Sequence, residues 1–336
     1  MSHNTTGPLV TVNGHKFQLP ADEQALEHAV RSFPWMTYRN HFAQIADSYY
    51  NTDAGWGCML RCGQMLLARA MTVQHLGKNW APTSRKQRHQ EMARFLPLFF
   101  DTPAAPFSIH RIAERGEALG KTIGQWFGPN TVAQVLKNLV NSQRSSLIVH
   151  CAMDGVLNRT EASTQLAAAL SDGKKHSLLV LVPIRLGLNQ SINPVYIPAL
   201  KATLELPQCL GIIGGKPNAA HFFVGTVNEN VLYLDPHVVQ DAAMELTPDT
   251  VESFSVAVLS KMAISDVDPS MCAAYLCSSV AELEDLGKRS KQITSQFRGY
   301  GLFDVIEDSR INSLSLDSMA VDSDDGSDED DFDMCN

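Results

Sequence analysis

The apolar residues of this chain change their spacing part-way along, and that change limits the fold more than any other feature. Up to about residue 145 the spacing is helical. Met59, Cys62, Met65, Leu66 and Arg69 recur at three- and four-residue steps between Cys58 and about Val73. "SRKQRHQEMARFLPLFF" predicts a second helix stopped by Pro103. "TVAQVLKNLVNSQ" predicts a third, with Asn130 or Thr131 as its cap. Beyond that point "SSLIVHCAM", "SLLVLVPIRLG" and "CLGIIGGK" are short runs of Val, Ile and Leu that read as buried strands. "AHFFVGTVNENVLYLDPH" reads as a hairpin about Asn-Glu-Asn, and "VESFSVAVLSKMAISDVDPSM" holds a further strand. "SSVAELEDLGKRSKQITSQF" is a closing helix, with Glu282 placed after Ser278 or Ser279 as in a capping box. Helices first and strands later predict an α+β fold with a mostly antiparallel sheet.

The flanks differ from this body. "LVTVNGHKFQLP" alternates about Asn13-Gly14, a hairpin signal, and "ADEQALEHAVRSF" reads as a short helix. Residues 1–32 are read as an N-terminal extension and 33–306 as the main domain. Residues 307–336 are read as a disordered acidic tail, because Ser, Asp and Met there build no core. The formal charge of −9 sits mainly in "DSDDGSDEDDFD", Asp322 to Asp333, so it describes the tail; the near-neutral body offers no basic surface for nucleic acid. Ser323 and Ser327, each followed by acids, are phosphorylation candidates of a common kind.

No apolar run reaches the roughly 18 residues that span a bilayer, and the first residues, "MSHNTTGPLV", resemble neither a secretory leader nor a transit peptide. A cytoplasmic protein is expected. Seven scattered cysteines then argue against a disulfide framework. Cys58/Cys62 and Cys272/Cys277 lack zinc-knuckle spacing, so no metal is expected. The two glycines before Lys216 lack a following Gly-Lys-Ser/Thr, which excludes a Walker nucleotide site, and no cofactor is expected.

One cysteine has the setting of a nucleophile. In "TDAGWGCML", Gly55 and Gly57 permit a sharp turn, and Cys58 falls on the first turn of the helix. Free N–H groups and the positive dipole end there stabilise a thiolate and can bind an oxyanion. The competing reading is a small buried hydrophobe, the usual state of a free cysteine. A thiolate needs a base and the base an orienting group. Among eleven histidines, His110, His150 and His221 read as structural. "DPH" stands apart: Asp235 and His237 lie two residues apart at a strand end, on a loop stiffened by Pro236. Alone that is a capped turn; beside Cys58 it is a candidate dyad.

"YRNHFAQI", "DAGWGCMLRCGQMLLA", "IGQWFGPNTVAQVL", "VPIRLGL", "LGIIGGKPNAAHFFVG" and "YLDPHVVQ" occur in the order found in the autophagins, the autophagy-related protein 4 family of cysteine peptidases, and the chain resembles them from about Trp35 to Phe303. The resemblance implies a papain-like fold with a small accessory subdomain, Cys58 as nucleophile, and Asp235 and His237 completing the triad. It implies Tyr38 as an oxyanion donor beside the Cys58 N–H. Trp126 and the turn Gly215, Lys216, Pro217, Asn218 and Ala219 would clamp the substrate tail. The implied substrates are ubiquitin-like autophagy modifiers (the autophagy-related protein 8 family), cut after a glycine or released from phosphatidylethanolamine during transient contact with a membrane. A tunnel fitted to glycine excludes larger side chains. A monomer is expected. Cys62, one turn after Cys58, is read as a packed helical cysteine; a direct disulfide at that spacing would strain the backbone. "FDVI", Phe303 to Ile306, fits the modifier-binding tetrapeptide of some relatives through Phe303 and Ile306, or else is the last core strand. Two rival readings are a transglutaminase-like or amidase enzyme, which would need an open cleft, and a pseudoenzyme that only binds modifiers.

Overall fold

The computed structural model describes residues 7–307, apart from Arg144 and Ala257. The chain begins with the hairpin β1 (Leu9–Val12) and β2 (His15–Gln18), turning at Asn13-Gly14, both with positive φ. Helix α1 (Glu23–Arg31) and strand β3 (Tyr38–Asn40) follow. Four helices come next: α2 (Cys58–Leu76), α3 (Arg85–Met92), α4 (Ile109–Glu117) and α5 (Pro129–Ser142). Beyond them lie β4 (Leu147–Cys151), β5 (Val156–Asn158), α6 (Arg159–Leu170), β6 (Ser177–Arg185) and α7 (Ile197–Leu204). Strands β7 (Cys209–Lys216), β8 (Ala219–Val227), β9 (Asn230–Leu234) and β10 (Val239–Asp241) come before α8 (Pro248–Glu252). Strands β11 (Ser260–Ala263) and β12 (Ser270–Cys277), helix α9 (Val280–Gln296) and strand β13 (Asp304–Ile306) complete the described chain.

The main sheet has the order β11-β9-β8-β7-β12-β6-β4, with the β1–β2 hairpin joined to β8. Its pairings are antiparallel except β4 with β6. The N-terminal segment thus adds a strand to the sheet, with Val10 to Val12 facing Val227 to Gly225. Side chains alternate between two cores. Leu179, Leu181, Phe222, Cys272 and Ala274 face one, against α2 and α5. Leu178, Val180, Phe223, Met271 and Tyr275 face the other, with Leu166, Leu200 and Leu286 of α6, α7 and α9. A sheet covered on both faces explains why its strands read as unbroken apolar runs. Cys272 and Cys277, at odd spacing on one strand, therefore point into opposite cores.

Helix α2 runs through the first core, and every residue from Cys58 to Thr72 is buried. Such a helix should be apolar all round; this one carries Arg61, Gln64 and Arg69. Arg61 lies between two buried carboxylates, with Nε 2.8 Å from Asp53 Oδ2 and Nη1 2.8 Å from Asp101 Oδ1. Gln64 donates to the Phe107 carbonyl at 2.8 Å, and the Arg69 guanidinium lies over the Phe33 ring, 4.5 Å from its centroid.

Several expectations are corrected by local geometry. Helix α5 is capped by Gly128 with Pro129 in its first turn, not by Asn130 or Thr131, because proline's missing N–H costs nothing there. Helix α3 ends at Met92, and a separate 3-10 turn, Leu96–Phe99, forms around Pro97. Ser279 accepts from the Glu282 amide, while the Glu282 carboxylate reaches back to Ser278 N, one residue short of a standard capping box. The turn in "GGKPN" is shorter than Gly215 to Ala219: only Pro217 and Asn218 form it, with Asn218 at φ 65°, while Gly215 and Lys216 belong to β7 and Ala219 to β8. Phe303 is buried against Tyr275, ring centroids 5.3 Å apart, and β13 pairs with β5. "FDVI" is thus a core strand in this structure, with its aromatic anchor turned inward. Glu307 meets Arg159 and Lys291; the acidic tail from residue 308, with Ser323 and Ser327, lies outside the described residues. No helix among the described residues is long and apolar enough to cross a membrane.

Removing one partner of a buried ion pair leaves an uncompensated charge. Arg61→Met should therefore lower unfolding free energy in urea by about 3–5 kcal/mol.

Candidate active site

Cys58 is the first residue of α2, after the N-cap Gly57, so its N–H has no intrahelical acceptor. The turn before it is built around Asp53. That carboxylate accepts from the Arg39 amide at 2.7 Å and from Arg61, and its own carbonyl accepts from Gly57 N at 2.8 Å. A Cβ on Gly57 would clash with the Asp53 side chain, and Gly55 has φ +86°. Each glycine thus has its own reason: Gly57 makes room for a carboxylate, Gly55 takes a left-handed turn. Trp56 fixes the turn through Nε1, which donates to the Thr52 carbonyl at 3.0 Å.

Asp235 and His237 arrive from the other side of the molecule, after β9. His237 Nδ1 lies 2.5 Å from Asp235 Oδ1, and the His237 amide donates to the same oxygen at 3.0 Å. The loop is tied to the β3 region. Trp35 Nε1 donates to the Asp235 carbonyl at 2.7 Å, Tyr38 N donates to the Pro236 carbonyl at 2.9 Å, and β10 pairs with β3 in parallel, Val239 opposite Tyr38. That pairing sets the Tyr38 ring edge-on to His237, centroids 5.4 Å apart.

The thiol is surrounded by donors. Burial alone would push the Cys58 thiol up, but hydrogen bonding from His237, the Ala220 amide, the Trp126 indole and Tyr38 outweighs it and brings the net value below that of a free thiol. His237 moves up to about 9, first through its bond to Asp235 and then through Cys58, with burial opposing. Burial raises Asp235, and its bonds to His237 more than cancel this, leaving it lowered. Burial and the neighbouring thiolate push Tyr38 far up, so its phenol stays a donor. The pair Cys58/His237 therefore favours thiolate with imidazolium, with the Tyr38 phenol and the helix N-terminus beside the sulfur. The Trp126 Nε1 lies 2.8 Å from Cys58 Sγ, so the indole covers the sulfur. Gly124, φ +88°, lets the Trp126 segment pass against Tyr50, where a Cβ would clash.

All of the residues named from the sequence as catalytic, Cys58, Asp235 and His237, meet here, with Tyr38 and Trp126. The Lys216–Ala219 turn joins β7 to β8, and β8 brings the Ala220 amide to the sulfur. Ile306 lies elsewhere, on β13, with Phe303 immediately before that strand. The Ala220 amide carried no side-chain signal. His221 also lies beside the dyad, with its Nε2 4.0 Å from Asp235 Oδ1. His221, Asp235 and His237 offer ligand atoms within 4.8 Å of one another, but the short Asp235–His237 bond already uses the groups a metal would need.

Residues 23–289 match the peptidase C54 catalytic domain. The chain belongs to the peptidase C54 family. It is an autophagin, a papain-like cysteine peptidase of the autophagy pathway. It is 37% identical over 325 residues to cysteine protease ATG4B of Xenopus laevis, covering 90% of this chain and 84% of the frog protein. It is 36% identical to human cysteine protease ATG4A over 311 residues, covering 83% of this chain and 77% of the relative. Chicken cysteine protease ATG4A is 37% identical over 310 residues, 83% of this chain and 81% of that protein.

Alkylation of the thiol as a function of pH checks the electrostatics. Its acid inflection should lie below that of a free thiol, with a second change near the His237 value of about 9. His237→Asn should move the acid inflection up by about one unit or more.

Proposed function

We propose that this peptidase cleaves the C-terminal tail of ubiquitin-like autophagy modifiers of the autophagy-related protein 8 family after a glycine, and releases the same modifiers from phosphatidylethanolamine. The observation that carries the reading is the indole on the sulfur. Trp126 Nε1 lies 2.8 Å from Cys58 Sγ, and the Ala220 amide approaches the same sulfur from β8. A chain passing between these groups has no space for a side chain at the scissile residue, which suits glycine. The relatives that the chain resembles are cysteine proteases ATG4A and ATG4B, which fits this pathway.

Cys58, His237 and Asp235 act as a triad. The thiolate attacks the glycine carbonyl, and the oxyanion meets the Cys58 N–H and the Tyr38 phenol. His237 gives its proton to the departing amine, whether of a peptide or of the lipid's ethanolamine. Neutral His237 then takes a proton from water, which hydrolyses the thioester. Asp235 holds the imidazole with its Nδ1–H inward throughout. Trp126 must lift from the sulfur before a carbonyl can approach, so entry of the tail and exposure of the thiol are one event. The enzyme works as a cytoplasmic monomer that touches membranes transiently.

A modifier with residues beyond its glycine, incubated with the enzyme and read by mass spectrometry, should yield a product ending in that glycine, and Cys58→Ala should yield none. A phosphatidylethanolamine-linked modifier on vesicles should be released under the same dependence on Cys58. Intact substrate with retained binding in both proteins would overturn the reading. Trp126→Ala should speed alkylation of Cys58 while lowering kcat/KM on the modifier by about tenfold or more.

A further inference from the structure

His221 is the buried titratable group next to the site that the reaction above does not use. It lies on β8, directly after Ala220, with its side chain 3% exposed. Its Nε2 is 4.0 Å from Asp235 Oδ1, the oxygen that already accepts from both the ring and the amide of His237. The ring is tilted against His237, centroids 5.3 Å apart, and stands edge-on to Tyr233 at 4.4 Å. Burial holds its pKa down to about 4 against the pull of Asp235, with His237 and Lys216 adding to the depression. The imidazole is therefore neutral at neutral pH and carries one N–H.

The surroundings decide which nitrogen holds that proton. Nδ1 is buried without a hydrogen-bond partner of normal geometry, although the Ala219 backbone stands close enough to pull the ring's pKa slightly up. A proton on Nδ1 would be a buried donor without a well-formed hydrogen bond, and would leave the Nε2 lone pair facing a carboxylate. A proton on Nε2 removes both costs and aims the donor at Asp235.

We propose that His221 is a positioning residue, a second hydrogen-bond donor to Asp235 that takes hold of the carboxylate when His237 becomes neutral. This rests on the triad reading above. While His237 is an imidazolium, its charge-assisted bond holds Asp235 firmly. Once the proton has left with the amine, that bond weakens to a neutral one, and Asp235 is free to turn. His221 Nε2–H stands roughly one ångström beyond hydrogen-bond distance, near enough to close on the same oxygen. Asp235 then keeps the His237 proton on Nδ1 and its Nε2 bare, as required to accept a proton from water. The charged and titratable groups that face His221 are Asp235 and Tyr233 from β9 and its loop, His237, and Lys216 at the end of β7; Cys58 and Tyr38 lie beyond His237.

Two substitutions separate the donor from the ring. His221→Phe keeps the aromatic volume and removes the N–H; His221→Gln keeps an N–H at similar reach. His221→Phe should lower kcat about tenfold with KM within about twofold, and should slow thioester hydrolysis more than acylation in single-turnover assays. His221→Gln should recover most of the loss. Equal impairment in both variants, or none in His221→Phe, overturns the proposal. The wild-type enzyme gives a check independent of how the variants fold: histidine ring nitrogen NMR at neutral pH should show His221 protonated on Nε2, and an Nδ1–H form overturns the proposal. A failed triad shows itself separately, as full activity in Cys58→Ala.

Discussion

The Asp53–Arg61–Asp101 ion triad joins three of the segments that build the site. Arg61 stands one turn beyond Cys58 on a helix buried on all sides, and burial works against its charge; two carboxylates keep it charged. Asp53 carries the link backwards, through the Arg39 amide, to the strand that bears Tyr38. Asp101 carries it sideways: its Oδ2 accepts from the Ala243 amide at 2.9 Å, just past the strand that follows His237. One guanidinium thus connects the helix of Cys58, the strand of Tyr38 and the segment that follows His237. Its value lies in geometry, since an apolar replacement of the whole triad would remove the hydrogen bonds that tie α2 to the other two segments, which the β3–β10 pairing joins only to each other.

The electrostatics of the site follow from that geometry. A thiol in a buried setting would ordinarily be hard to ionise. Here the helix start, an amide from β8, an indole, a phenol and an imidazolium all offer positive charge or donors to one sulfur. Asp235 supplies the base with a fixed negative partner, and His221, kept neutral by burial, adds no competing charge. Tyr38 is raised by the same thiolate that His237 stabilises, so the phenol remains protonated when an oxyanion needs it. The sulfur is poised as a thiolate but covered by the Trp126 indole.

Much of the fold was legible because its signals are local. The helix beginning at Cys58, the Asn13-Gly14 hairpin, strands β4, β6, β7, β8, β9 and β11 and the closing helix α9 follow from periodicity, glycine and capping residues, whereas β5, β10 and the central strand β12 are not among the strands the sequence marks. Helix α6 was not read, since the apolar residues of "RTEASTQLAAAL" form no clean stripe. The cap of α5 was misjudged because Pro129 and Gly128 compete with Asn130 for the helix start. "FDVI" shows the limit most plainly: the same four residues suit a docking peptide or a core strand, and only the contact of Phe303 with Tyr275 separates the two.

The site divides in the same way. The sequence by itself determined that a cysteine opens a helix after a glycine turn, that a carboxylate and an imidazole share a proline-stiffened loop, and, through its resemblance, which family these belong to. Those are short-range properties of bonded neighbours. Only the tertiary structure decided that Gly57 is small because Asp53 stands beside it, that the Ala220 amide helps to lower the Cys58 thiol, and that His221 Nε2 comes within 4.0 Å of Asp235 Oδ1. These contacts join segments far apart in the chain. Hydrogen bonds and charge in a low-dielectric interior act over a few ångströms, so their partners become defined only once the sheet and α2 have packed.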